Sequence, residues 1–283
     1  MSDDAIALCL AGGISPQVAV ARLLLAGGTA DDIAARIAAR CPVPPTPRWQ
    51  ALAALIEGRQ AALDGLAAEI GGTLAQHDAS GTAGLARIAA FFDRAVAFSP
   101  EASVALYSLG DPEILRAATT EVTDWLLRDG LVRPASDVLD LGCGIGRMAT
   151  ALAPHCRSVL GLDVAPGMVA EAQRRCAHLP HTRFAHTAGT DLAAHPDAAF
   201  DLVLAVDSFP YMIQAGVADR HVADAHRLLR EDGALVILNL SYGRTPDVDR
   251  ADVARWCNTC GFVPPAGPVR FTLWDGTGYV LRR

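Results

Sequence analysis

Over the first hundred residues, apolar side chains recur at helical spacing and never alternate with polar ones as a half-buried strand would require. A short helix is predicted over 3–11, stopping at Gly12-Gly13. The next begins at Ser15-Pro16, a capping hydroxyl followed by a proline where no N–H is needed. It carries Val18, Val20, Leu23 and Leu25 and ends at Gly27-Gly28. Thr29 can cap a third helix over 30–40, with Asp31 and Asp32 at its positive end. Pro42, Pro44, Pro45 and Pro47 form a stiff linker. An Ala-rich helix is predicted over 48–75, with Leu52, Leu55, Ile56 and Leu63 as its stripe and Gly71-Gly72 as a point of interruption. Another follows over 82–98.

Near Asp111 the pattern changes. Asp111-Pro112-Glu113 starts a helix that should reach Arg128 before Gly130. Short apolar runs then alternate with helical ones. Strands are predicted over 138–141, 158–163, 182–186, 200–206 and 234–240, and helices over 147–153, 167–177, 218–230 and 248–259. A closing hairpin of 269–274 and 279–282 turns at Asp275-Gly276. Strand–helix alternation implies a parallel sheet covered on both faces, and the hairpin adds an antiparallel last strand. The expected fold is α/β, a three-layer sandwich on a seven-stranded, mostly parallel sheet, preceded by an all-α region. Residues 1–110 form the helical region and 111–283 the sheet domain.

Composition narrows the function. The chain has 283 residues, 51% of them hydrophobic, which is ample for a core. All 24 basic residues are Arg and the net charge is −7, so there is no basic footprint for duplex nucleic acid. Arg and Ala in place of Lys point to a GC-rich bacterial genome. Seven cysteines are too few and odd in number for a disulfide scaffold, which suits a reducing cytoplasm. The N-terminus lacks the basic region of a signal peptide, and no apolar run is long enough to span a membrane.

The sharpest chemical signal is Val138-Leu139-Asp140-Leu141-Gly142-Cys143-Gly144-Ile145-Gly146-Arg147, an apolar strand that runs into a three-glycine loop and then a helix. Glycines allow a tight turn and a close approach of ligand to backbone, and the helix start offers unpaired N–H groups. The last gap is one residue short for the dinucleotide fingerprint, and the phosphate loop of nucleotide hydrolases would need a Lys. Twenty-three positions after Asp140, the second strand ends in Asp163, where a carboxylate can accept both hydroxyls of a ribose.

The D-x-G-x-G-x-G pattern resembles the first motif of class I S-adenosylmethionine-dependent methyltransferases, and the resemblance extends over about 111–283. It implies that Asp140, Gly142, Cys143, Gly144 and Gly146 lie beside the methionine part of S-adenosyl-L-methionine, with S-adenosyl-L-homocysteine as product. Asp163-Val164-Ala165-Pro166-Gly167-Met168 is similar to the family's next segment, placing Val164 and Met168 near the adenine. Thr190-Asp191-Leu192 corresponds to the family's adenine-binding turn, with Asp191 accepting the amino group and the next backbone N–H meeting a ring nitrogen. Phe200-Asp201-Leu202-Val203 looks like the family's fourth strand, and Leu228–Leu235 like the entry to the fifth, with Ala234 where a second Gly usually stands.

After the fourth strand, Asp207-Ser208-Phe209-Pro210-Tyr211 reads as a loop beside the reacting methyl. Ser208-Phe209-Pro210-Tyr211 departs from the motif of base-methylating enzymes. Tyr211 or Phe209 is expected to wall the acceptor pocket, and Asp207 to orient the acceptor or the cofactor's amino group; Tyr211 and Asp207 are the candidate catalytic residues. Tyr107 is the candidate lid residue over the cofactor. Cys257-x-x-Cys260 is a single pair, and the eight histidines have no ligand spacing, so no metal is expected. The expected function is methyl transfer to a small organic molecule, with no nucleic acid or membrane partner. The helical region should cover the acceptor, form homodimer contacts, or both. The alternatives are another transfer or cyclisation using the same cofactor, a nucleic-acid or protein methyltransferase, and a non-catalytic cofactor sensor, because such motifs report the cofactor and not the acceptor.

Overall fold

The computed structural model describes residues 2–71, 80–242, 244–274 and 276–283. Two compact units emerge: Met1–Gln76 with Ala95–Ala118 and Phe271–Asp275, and His77–Arg94 with Thr119–Arg270 and Gly276–Arg283. The chain therefore crosses between units several times, whereas the sequence suggests a single boundary at Asp111. No described helix is long and apolar enough to cross a membrane.

The second unit holds, among the described residues, a seven-stranded sheet: β1 (Asp137–Leu141), β2 (Ser158–Asp163), β3 (Thr182–His186), β4 (Phe200–Val206), β5 (Leu229–Leu238), β6 (Val269–Arg270) and β7 (Thr277–Arg282). Their order is β3-β2-β1-β4-β5-β7-β6. β1 to β5 are parallel; β7 runs antiparallel to β5 and to β6. Helices lie on both sides, as the strand–helix alternation requires. The chain travels outward from β1 to β2 and β3, then returns to place β4 on the other flank of β1. This reversal opens a crevice at the carboxyl ends of β1 and β4. Beneath it, Leu139, Leu141, Leu162, Val203, Ala205, Leu235 and Ile237 form the buried core.

At the amino ends of the central strands, Arg230 pairs with Asp201 at 2.6 Å and with Asp137 at 2.9 Å. This staple draws residues expected at a helix end into β5, which starts at Leu229 instead of Ala234 and absorbs the mismatch as a register shift against β4. Gly233 is required in that bend, since a Cβ would lie 2.9 Å from the Arg230 carbonyl and 3.1 Å from that of Asp201. The hairpin is shorter than the sequence suggests. Residues 271–274 leave the sheet for the helical unit, where Phe271 meets Trp274 and the Leu273 carbonyl accepts from Ser15 Oγ at 3.3 Å and from Gln17 at 3.4 Å.

In the helical unit, Ser15 caps the helix Pro16–Leu25, Thr29 caps Ala30–Ala38 and Thr46 caps Pro47–Ala54. The long helix expected over 48–75 is broken: Pro47–Ala54 ends before Gly58, which is left-handed at φ 72°, and Gln60–Leu66 follows, running into a π-helical turn at Ala67–Gly71. The break is fixed by a distant partner, because the Arg59 guanidinium donates to the Leu109 carbonyl at 2.7 Å. The remainder of the expected helix, 72–75, lies outside the described residues.

Candidate active site

Leu141, at the end of β1, leads into a loop whose three glycines are all left-handed, at φ 77° (Gly142), 51° (Gly144) and 76° (Gly146). The loop is tied to β2: the N–H groups of Gly142 and Cys143 donate to the Leu162 carbonyl at 2.8 and 3.0 Å, and that of Gly144 to Asp163 Oδ2 at 2.9 Å. Asp163 Oδ1 accepts from the Ala165 N–H at 2.9 Å. Burial raises the Asp163 pKa, and these backbone N–H bonds oppose the rise. Gly142 has no room for a side chain, since a Cβ would sit 2.3 Å from that of Ser208, whose hydroxyl donates to the Leu141 carbonyl at 2.6 Å. Gly146 permits the close approach of Ala172 and Cys176, each 3.2 Å from where its Cβ would stand.

Two further carboxylates face this loop. Asp140 is 1% exposed, and its Oδ2 accepts no hydrogen bond from any described group. Burial raises its pKa to about 7; Arg147 pulls it down and Asp163 pushes it up. Asp207, just past β4, is left-handed at φ 58°. Its N–H donates to the Leu238 carbonyl at 2.9 Å, its Oδ1 accepts from Asn239 Nδ2 at 3.0 Å, and its Oδ2 lies 3.7 Å from Arg147 Nη2. Arg147 opens the helix Arg147–Leu152 and is itself held by Thr119 Oγ1 at 3.2 Å.

Beside these charges stands an aromatic wall. Tyr211 meets Phe92 edge-on at 5.0 Å and Tyr242 at 5.8 Å. Leu85, Ile88 and Phe92 pack with Val164, Tyr211 and Ala215. Asp93 Oδ1 accepts from the Gly167 N–H at 2.7 Å, fixing the start of the helix Pro166–Arg175. Burial, reinforced by the charge of Asp207, raises the Tyr211 pKa well above that of an ordinary phenol, so the hydroxyl stays protonated.

Comparison with known proteins places this geometry. Residues 138–233 match the family described as "Methyltransferase domain". Over 113 residues the chain is 31% identical to demethylmenaquinone methyltransferase of Tropheryma whipplei (strain Twist), covering 40% of this chain and 45% of the relative. Over 86 residues it is 41% identical to trans-aconitate 2-methyltransferase of Methylobacterium nodulans, covering 29% and 32%. Residues 138–233 are thus similar to a methyltransferase domain. The matches span less than half the length of these relatives. Among solved structures, magnesium protoporphyrin IX methyltransferase from Synechocystis PCC 6803 with bound S-adenosylmethionine aligns with a TM-score of 0.47 at 21% identity, covering 60% of this chain and 80% of that one.

The sequence motifs imply S-adenosyl-L-methionine as the cofactor, and the residues present fit it. A buried carboxylate oxygen with no donor beside a glycine loop suits a cationic amino group. Each oxygen of Asp163 accepts one backbone N–H and keeps a lone pair for a ribose hydroxyl.

The structure brings Asp140, Gly142, Cys143, Gly144, Gly146, Asp163, Val164 and Met168 to the ends of β1 and β2, with Asp207 and Tyr211 after β4. Cys143 and Met168 are buried. At the turn after β3, Asp191 Oδ1 accepts from the Ala193 N–H at 3.1 Å and its Oδ2 from Thr190 Oγ1 at 3.3 Å. The Leu192 N–H, expected to meet an adenine nitrogen, instead donates to Asp224 Oδ2 at 2.9 Å, and its side chain is buried. Tyr107 is buried within the helical unit, in the turn Leu106–Ser108. The stretch after Asp207 is not a loop but the helix Phe209–Gln214 with Pro210 in its first turn. Phe209 points away from any acceptor: it is fully buried, edge-on to Trp256 at 5.7 Å.

Sequence reasoning missed Arg147, Asn239, Phe92 and Asp93. For Arg147 a signal existed, a cation immediately after the third glycine. For the others no local signal exists, because their partners lie 32 to 119 positions away and are found only by folding.

Proposed function

We propose that this chain transfers the methyl group of S-adenosyl-L-methionine to a small organic acceptor. The observation that carries the reading is the open, buried Asp140 oxygen beside the glycine loop, placed to take the cofactor's α-ammonium. In this reading Gly142, Cys143, Gly144 and Gly146 shape the bed of the methionine part, Asp163 holds the ribose, and Val164 and Met168 flank the adenine. Thr190 and Asp191 meet the adenine edge, with Leu192 supporting that turn from the core. When bound, the cofactor supplies an electrophilic methyl carbon on its sulfonium. The chain's own part is alignment and exclusion of water. The Asp207 carboxylate, held at Oδ1 by Asn239 and paired with Arg147, orients the acceptor or the cofactor's amino group. Tyr211, protonated, offers a hydrogen bond or a ring face to the acceptor, and Phe92 and Tyr242 back it.

An acidic chain without Lys favours a small acceptor over a nucleic acid. All seven cysteines are free thiols, which supports a reducing, cytoplasmic setting. We also assign dimer contacts to the helical region, to be tested by light scattering on the full chain; a monomeric mass refutes that assignment.

The test of function is product analysis by mass spectrometry, incubating the protein with S-adenosylmethionine and a bacterial small-molecule extract. The expected outcome is S-adenosylhomocysteine together with an acceptor one methylene unit heavier. Methylthioadenosine or a cyclised product would move the chain to non-methylating chemistry. Tight cofactor binding without turnover would make it a sensor.

A further inference from the structure

The helix Gly81–Phe98 touches both the cofactor side and the aromatic wall of the candidate site. Its residues up to Arg94 belong to the unit of the sheet. Leu85, Ile88 and Phe92 follow one another at three and four positions and so share one helical face. That face packs with Val164, just past β2, and with Tyr211 and Ala215, past β4. Gly189, past β3, makes room for it. Its φ is 71°, and a Cβ there would stand 2.5 Å from Val164 Cγ1 and 3.2 Å from Leu85 Cδ2. At the start of the helix, the Gly81 N–H donates to the Ala215 carbonyl at 2.8 Å. One helix face thus meets the segments that follow β2, β3 and β4.

Asp93, next to Phe92 in the chain, makes a polar contact instead. The helix Pro166–Arg175 starts at Ala165, whose side chain gives no cap, and Pro166 has no N–H. The Ala165 N–H donates to Asp163 Oδ1 at 2.9 Å. The next N–H along the chain, that of Gly167, lies in the first turn, where no carbonyl of its own helix can accept it. Its acceptor is Asp93 Oδ1 at 2.7 Å, 74 positions away in sequence. A capping carboxylate is ordinarily carried by the residue that opens the helix. Here another helix lends it, and its negative charge suits the positive helix end. Asp163, the ribose carboxylate of the proposed reading, and Asp93 therefore hold successive N–H groups of one turn.

We propose that Asp93 is a positioning residue: by capping the helix Pro166–Arg175 from outside, it latches the helix Gly81–Phe98 to the ribose end of the site, so that cofactor binding also fixes Phe92 against Tyr211 in the acceptor wall. This rests on the S-adenosylmethionine reading of the site. Coupling of this kind is reciprocal: what the latch lends to cofactor affinity, the cofactor lends to the order of the helix. A cap that served only the helix Pro166–Arg175 would leave residues 82–94 indifferent to the ligand.

The test is amide hydrogen exchange, read by mass spectrometry on the full-length protein with and without saturating S-adenosylhomocysteine. Wild type, Asp93→Ala and Asp93→Asn are compared, with affinities from calorimetric titration. In wild type the ligand should slow exchange over residues 82–94 by about tenfold or more. Asp93→Ala should bind the ligand about fivefold more weakly, the loss expected of a helix cap. At saturation the ligand should still protect residues 142–146 of that variant, yet slow residues 82–94 by less than about twofold. Asp93→Asn keeps an oxygen that accepts from Gly167 and should retain most of the linked protection. Wild-type exchange over 82–94 that ignores a bound ligand would overturn the latch, whether or not any variant folds. Linked protection left intact in Asp93→Ala would overturn it too, and both results leave the cofactor reading standing. A wild-type protein that does not bind S-adenosylhomocysteine would overturn the cofactor reading, and this proposal with it.

Discussion

Replacing Asp140 with Asn should stabilise the ligand-free protein and impair its binding site, each effect with a defined pH dependence. Burial raises the pKa of this carboxyl from 3.8 to about 7, a little over three units. At about 1.36 kcal/mol per unit, the ionised form costs the folded state about 4 kcal/mol relative to an ordinary Asp. The sign follows from proton counting. Between about pH 4 and pH 7 the folded protein keeps a proton that the unfolded chain has released, so this carboxyl's contribution to stability falls as pH rises and levels off above 7. The amide of Asp140→Asn does not titrate. The variant's advantage in urea unfolding without cofactor should therefore grow by about 2–3 kcal/mol between pH 5 and pH 8. In the wild type, S-adenosylhomocysteine binding should strengthen as pH rises through about 7, because an ammonium at Asp140 favours the ionised form. In the variant, binding should be weak and insensitive to pH over the same range. Parallel unfolding curves for the two proteins from pH 5 to pH 8 would refute the reasoning, since the proton could not then reside on Asp140.

Gly142→Ala should destabilise the protein by at least about 2 kcal/mol in urea unfolding, because φ is 77° and the new Cβ would stand 2.3 Å from that of Ser208. Phe209→Ala should cost about 3–5 kcal/mol in the same assay, as expected for a fully buried ring packed on Trp256; an acceptor-facing residue would cost far less. Tyr211→Phe keeps the ring against Phe92 and removes the hydroxyl, so cofactor affinity should hold within about twofold while turnover falls about tenfold or more. Unchanged turnover would take the phenol out of the reaction.

The sheet was legible because its information is local. β2, β3 and β4 are short runs bounded by turn residues, and their limits match the expectation residue for residue. The glycine loop and Asp163 were legible for a related reason: the loop needs left-handed residues at fixed spacing, and glycine marks them. Asp207 and Asn239 adopt the same left-handed region without being glycine, at φ 58° and 66°, and their side chains hold each other at 3.0 Å. No run of residues announces that pair. The helix break at Gly58 was hidden in the same way, because a lone glycine in an Ala-rich stretch is compatible with a helix until Arg59 finds Leu109 fifty residues away. The error at Phe209 has another origin. Pro210 reads as a loop signal, but in the first turn of a helix it lacks only an N–H that would have had no partner.

These contrasts bear on what the acceptor end of the site can reveal. The cofactor end is built by backbone geometry and by residues adjacent in sequence, so one motif exposes it. The acceptor end in the proposed reading joins Phe92, from the helix Gly81–Phe98, to Tyr211 and Tyr242, which come from the far side of the sheet's reversal. Tyr211 is marked by its place after the fourth strand, whereas Phe92 and Tyr242 stand in no recognisable pattern. Acceptor choice can thus change while the fold and the loop stay fixed. Identifying the acceptor therefore calls for experiments on the aromatic wall, where substitutions should shift selectivity among acceptors and leave S-adenosylhomocysteine binding intact.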